Sequence, residues 1–81
     1  MSRVTLDARY LLCPLPVIRT QDQVARLQPG DSLRVLCTDP GVLHDIPCWC
    51  RMHGHTVGNI SRTNGEIAIT IHVGDSGMAR A

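Results

Sequence analysis

The segment Glu66–Val73, EIAITIHV, constrains the fold more than any other part of the chain. Ile67, Ile69, Ile71 and Val73 alternate with Ala68, Thr70 and His72, so an extended backbone puts the branched aliphatics on one side. Such regular alternation implies a sheet buried on one face. Asn64-Gly65, just before it, is a strong two-residue hairpin signal. The preceding stretch, HTVGNISRT, reads as a weaker strand with Gly58 and Asn59 as bulge residues. The chain therefore closes on an antiparallel hairpin.

The buried face needs cover, and the upstream sequence supplies it. Val4-Thr5-Leu6 alternates as a short first strand. From Pro16 onward, Val17, Thr20, Val24 and Leu27 recur at helical spacing. "QPGD" predicts the end of that helix, because Pro29 cannot continue it and Gly30 suits a left-handed cap. Ser32 to Thr38 reads as a second strand, with Leu33, Val35 and Cys37 on one face. A second helix opens at "TDPG", where Asp39 suits the N-cap and Pro40 the first position. Val42, Leu43, Ile46, Trp49 and Met52 give it an apolar side. Pro47 predicts a kink, or two pieces with the second starting near Asp45.

The order is βαβαββ. A strand–helix–strand step implies a parallel crossover, and the closing hairpin is antiparallel. The expected fold is an α/β (α+β) two-layer sandwich, a mixed four-stranded sheet with both helices on one face. With 81 residues the chain makes one domain, placed at residues 1–74, with residues 75–81 as a disordered tail. Only Tyr10 and Trp49 are aromatic, so the core rests on Leu, Ile and Val.

Charge and hydropathy exclude several roles. The eight basic residues are all arginines, scattered from Arg3 to Arg80, and the formal net charge is +1. No basic cluster marks a phosphate-binding face, and few aromatics are on hand to stack on bases, so no direct nucleic-acid binding is expected. No run approaches the roughly 20 apolar residues that span a bilayer. The N-terminus lacks the apolar region of a signal peptide, so a cytoplasmic protein with free thiols is expected.

The four cysteines then carry the chemical question. Cys13 stands in LLCPLPVIRT, at the mouth of the first helix. Pro14 and Pro16 fix their own φ and bias the preceding residues toward extended backbone, which holds Cys13 outside the helix. A thiol there meets the positive end of the helix dipole, which favours thiolate. Position 16, where a C-x-x-C motif needs its second cysteine, is a proline, so an internal C-x-x-C redox cycle is excluded. A single thiol in this position suits accepting and donating a group, although a small buried cysteine before a helix gives the same pattern. Cys37 lies in a strand interior and reads as core. Cys48, Cys50, His53 and His55 are zinc-type donors, but all lie in one short stretch whose spacing matches no common zinc pattern. No metal or other cofactor is expected.

LDARYLLCPLPVIRT, GDSLRVLCTDPG, DIPCWC and HGHTV together resemble the TusA-like (SirA-like) sulfur carrier family, from about Leu6 to Val73. The resemblance implies the same two-layer sandwich. It implies that Cys13 carries sulfane sulfur as a persulfide, with Pro14 and Pro16 as the supporting motif. The donor would be a cysteine desulfurase or a rhodanese-type enzyme, and the acceptor another protein of a sulfur relay. That relay would serve tRNA thiolation, sulfur oxidation or molybdenum cofactor assembly. Such a protein is a carrier cosubstrate more than a stand-alone enzyme. Asp39-Pro40 and Asp45-Ile46-Pro47 match the family's second-helix signature, and Cys50 fits a position where relatives also carry cysteine. Asp39, Asp45 and Cys50 are thus secondary candidates. The family often has Gly where Tyr10 stands, and lysines near Thr20 and Gln21 that this chain lacks. Two alternatives use the same residues: a thiol redox or regulatory protein pairing Cys13 with Cys48 or Cys50, and an interaction module without thiol chemistry.

Overall fold

The structure is a computed structural model that describes residues 2–74. The expected tail at 75–81 lies outside the described residues. The elements run β1 (Arg3–Asp7), α1 (Leu15–Val24), β2 (Ser32–Cys37), α2 (Val42–Met52), β3 (Thr56–Thr63) and β4 (Glu66–His72). They form one mixed sheet in the order β1-β2-β4-β3. β1 runs parallel to β2, and β4 is antiparallel to both β2 and β3.

The two central strands meet through their apolar faces as their alternation requires. Leu33 stands opposite Ile71, Val35 opposite Ile69 and Cys37 opposite Ile67. All six are buried, at most 3% exposed, and share one core cluster with Val24 of α1 and Val42, Ile46, Trp49 and Cys50 of α2. Both helices therefore cover the same side of the sheet. The hairpin turns at Asn64 (φ 51°) and Gly65 (φ 80°), two consecutive left-handed residues, as a type I′ turn requires. The register between β3 and β4 shifts between Val57 and Asn59, so the bulge falls where Gly58-Asn59 signalled it.

Three expectations about the helices are corrected. The N-cap of α2 is Gly41, with Val42 the first helical residue, and not Asp39 followed by Pro40. α1 stops at Val24, well before Pro29, and its chain leaves through short i→i−3 bonds: the N–H of Arg26 donates to Gln23 and that of Leu27 to Val24. The turn at Gln28–Asp31 is a separate structure. The Asp31 carboxylate accepts the N–H groups of Gln28 and Ser2, both at 2.8 Å, which ties the start of β1 to the turn before β2. Those bonds hold its carboxyl below the usual carboxylate range. α2 is one helix from Val42 to Met52 with Pro47 inside it, so the reading as two pieces is overturned. The proline forfeits the one N–H that would bond the Leu43 carbonyl. Val42 and Ile46 before it, and Trp49 and Cys50 after it, are buried in the same core.

Candidate functional site

Cys13 is the one exposed cysteine of the four; Cys48 is half-buried, and Cys37 and Cys50 are buried. The first helical residue is Leu15, with Pro16 after it and Pro14 at the N-cap position. Cys13 thus lies just outside the helix, as the two prolines imply. Its loop is held by bonds within the chain and across the fold. The Leu15 N–H donates to the Leu12 carbonyl at 2.9 Å, and that of Ile18 to the Pro14 carbonyl at 3.1 Å. Pro16 packs inward, and the buried Thr20 hydroxyl donates to its carbonyl at 2.8 Å. That bond satisfies the polar atom that the apolar row Pro16, Thr20, Val24 would otherwise bury unpaired.

Two acidic residues from the β2–α2 region come to the cysteine. Asp39 Oδ2 accepts the backbone N–H of Cys13 at 3.1 Å, while its Oδ1 accepts that of Gly41 at 3.1 Å. One carboxylate therefore ties the cysteine loop to the start of α2. Asp45, in the first turn of α2, accepts the Cys13 thiol itself: Sγ to Oδ2 is 2.9 Å. The secondary candidates Asp39 and Asp45 are thus brought to Cys13.

This geometry overturns the expected electrostatics of the thiol. The helix terminus favours thiolate, but a carboxylate bonded to the S–H favours the protonated form more directly. The Asp45 hydrogen bond is the largest influence, followed by desolvation and the charges of Asp45 and Asp39, and all push the Cys13 pKa up from its ordinary value of 9.0. At neutral pH the free protein therefore holds Cys13 as a thiol, a weak nucleophile.

The remaining cysteines are differently placed. Cys50, the third secondary candidate, is not brought to the site: it is 1% exposed and packs in the core. Burial pushes the thiols of Cys37 and Cys50 up to about 11, in Cys37 with some help from the Asp39 charge. The Trp49 ring packs against two histidines, with centroids 5.1 Å from His53 and 5.2 Å from His55. His55 is buried, and its Nδ1 accepts the Gly74 N–H at 3.1 Å, which pins the end of β4. These residues of CWCRMHGH pack, and among the described residues no three His, Cys, Asp or Glu side chains converge as a metal site.

Sequence reasoning missed the conformation of Tyr10. It sits at φ 66°, left-handed, with its N–H donating to Thr38 Oγ1 at 2.8 Å. The family's frequent Gly at this position was the available signal, since glycine adopts that region freely. Around Cys13 the exposed apolar side chains are Tyr10, Leu12, Leu15 and Ile18. Among the described residues no helix is long and apolar enough to cross a membrane.

Comparison with known proteins agrees with this architecture. The family model described as Sulfurtransferase TusA matches residues 4–73. A Neisseria meningitidis serogroup A protein, provisionally named a sulfur carrier, is 38% identical over 71 residues, 88% of this chain and 96% of its own. The sulfur carrier protein TusA of Pseudomonas paraeruginosa is 46% identical over 50 residues, 62% of this chain and 63% of its own. Among solved structures, the SirA-like protein from Desulfitobacterium hafniense superposes with a TM-score of 0.78 at 29% identity, over 89% of this chain and 99% of that one.

Proposed function

Because the chain belongs to the TusA family of sulfur carriers, we propose that Cys13 is the atom that carries the sulfur, as a persulfide. The observation that carries this reading is exposure: Cys13 lies open at the mouth of α1, whereas Cys37 and Cys50 are buried. A carrier has to present its sulfur to two proteins in turn, and a core thiol presents it to neither.

The transfer balances without an external oxidant or reductant. Cys13 loses its proton to solvent, and Sγ attacks the terminal sulfur of a donor persulfide. A bond forms from Sγ to that sulfur, the donor's S–S bond breaks, and the donor cysteine leaves as thiolate and takes up a proton. The sulfane sulfur changes owner with no net redox change. In the second half an acceptor thiolate attacks the same sulfur, and Cys13 is the leaving group. Pro14 and Pro16 keep the cysteine loop out of the helix, and Asp39 anchors its backbone. The donor class is a cysteine desulfurase or rhodanese-type enzyme. The acceptor is a protein of a relay toward tRNA thiolation, sulfur oxidation or molybdenum cofactor assembly.

The test is intact mass after incubation with a cysteine desulfurase and cysteine. The wild-type chain gains one sulfur, and Cys13→Ser gains none. A Cys13→Ser protein that still gains sulfur refutes the assignment.

A further inference from the structure

The arrangement at Cys13 resists the first step just described. A thiol bonded to a carboxylate does not readily become a nucleophile, yet a carrier must attack its donor. Asp45 Oδ2 holds the thiol at 2.9 Å, and Asp39 Oδ2 holds the backbone N–H of the same residue at 3.1 Å. Among the described residues no arginine is paired with either acid. The ion pairs among these residues are Arg9 with Asp7 and Arg9 with Glu66, so neither Asp39 nor Asp45 forms an ion pair with a described cation. Both acids are half-buried, which leaves part of each open to a docking surface. Tyr10 is 79% and Leu12 is 73% exposed, and Leu15 and Ile18, close to Cys13 in the chain, are exposed as well. The result is a pair of acids at the reactive sulfur that no described cation pairs with, on a stretch of chain that exposes apolar side chains.

We propose that Asp45 latches the Cys13 thiol until the sulfur donor docks, and that the donor is a protein presenting an arginine or lysine beside its own persulfide cysteine. The inference rests on the carrier reading and names the donor's chemistry. The donor's cation pairs with Asp45, the carboxylate releases the thiol, and the proton leaves to solvent. Sγ then attacks the donor's terminal sulfur as above. Apolar contacts with Leu12, Leu15 and Ile18 hold the two proteins together, and the cation decides which protein opens the latch. A donor with a neutral or acidic surround meets a closed thiol. The latch also keeps the unloaded carrier from reacting with stray electrophiles.

Small symmetrical disulfides of different charge probe the latch without any partner protein. Cys48→Ala leaves Cys13 as the accessible thiol, and exchange at Cys13 is followed by mass for cystamine (cationic), bis(2-hydroxyethyl) disulfide (neutral) and dithiodiglycolate (anionic). Each rate is divided by that of 2-mercaptoethanol with the same disulfide. The expected order is cationic, neutral, anionic, with the cationic rate ahead of the anionic by roughly tenfold or more at low salt. Raising salt to about 0.5 M compresses the ratio, because exposed charges are screened. Asp45→Asn keeps an oxygen acceptor but loses the charge. It lowers the ratio several-fold and speeds the neutral disulfide, with Asp39→Asn giving a smaller change in the same direction. A wild-type ratio near one, or a ratio that Asp45→Asn leaves unchanged, overturns the latch. Far-UV circular dichroism confirms that each variant is folded. Failure of the carrier reading is separate: Cys13 would then gain no sulfane sulfur from the desulfurase, whatever the disulfide ratio.

Discussion

Replacing Cys50 separates core from chemistry. It is 1% exposed on the inner side of α2, packed with Val42, Ile46 and Trp49. Cys50→Ala removes one buried group of about methylene size, worth about 0.8 kcal/mol of transfer free energy. It leaves a cavity of roughly 20–25 Å³, which adds about 0.5 kcal/mol at 24 cal/mol per Å³. The expected loss is about 1–1.5 kcal/mol. Cys50→Ser loses the same apolar burial and adds a hydroxyl, whose desolvation costs a further 1–3 kcal/mol if unpaired. A helical serine is able to bond the carbonyl four residues back, so the lower part of that range applies, near 1–2 kcal/mol. A domain this small has roughly 3–5 kcal/mol to lose, so the alanine variant folds, while serine, at about 2–3.5 kcal/mol in all, is visibly the worse and uses up most of that margin. Urea unfolding followed by far-UV circular dichroism gives the two losses, and desulfurase loading is run on the same samples. Alanine milder than serine, with both proteins taking up one sulfur, is the expected pattern. If Cys50→Ala keeps full stability and loses sulfur uptake, the division between core and reactive cysteines is wrong.

The other predictions concern the frame around the site. A Cβ on Gly74 would collide with the backbone carbonyl oxygen of Gly54, which cannot rotate away, so Gly74→Ala costs roughly 1–3 kcal/mol in urea unfolding. His55 is held below its ordinary 6.5, by burial first and then by the charge of His53. The unfolded chain binds its proton near 6.5 while the folded chain refuses it. His55's contribution to stability is therefore full above pH 6.5 and declines as pH falls toward the folded pKa. Urea midpoints at pH 7.5 and 5.5 check this, and His55→Asn should reduce the difference. Tyr10→Gly relieves a left-handed residue at the expense of a floppier unfolded chain, so stability is held or gains up to about 1 kcal/mol. Tyr10→Val forces a β-branched side chain into the same conformation and loses at least about 1 kcal/mol in the same assay.

The parts of the fold that sequence reveals are those where one residue's neighbours decide its state. Ile67, Ile69 and Ile71 alternate, Asn64-Gly65 carries the turn, and Leu33, Val35 and Cys37 share a face; each pattern is local and each appears in the sheet. Helix ends were harder to place. Pro29 and Gly30 are strong stop signals, but α1 ends earlier, at Val24, and the Asp31 carboxylate organises the turn that follows. Pro47 left open a break in the second helix, because propensity counts its missing N–H; Ile46 and Trp49, buried on either side of it, belong to one helix. At the site, the prolines placed Cys13 outside the helix and the family signatures pointed to Asp39 and Asp45. The state of the thiol was hidden, because the group that fixes it lies 32 residues away in the chain. A helix terminus is visible in sequence, whereas a carboxylate arriving from another helix is a product of folding.

The most direct test of the account is to locate the sulfur. The wild-type protein is loaded with a desulfurase and cysteine, blocked with an alkylating agent that preserves persulfides, digested and mapped by tandem mass spectrometry. The account predicts one added sulfur on the peptide that contains Cys13, with Cys37, Cys48 and Cys50 recovered as simple alkylated thiols. Sulfur mapped to Cys48 or Cys50, with Cys13 unmodified, would contradict it.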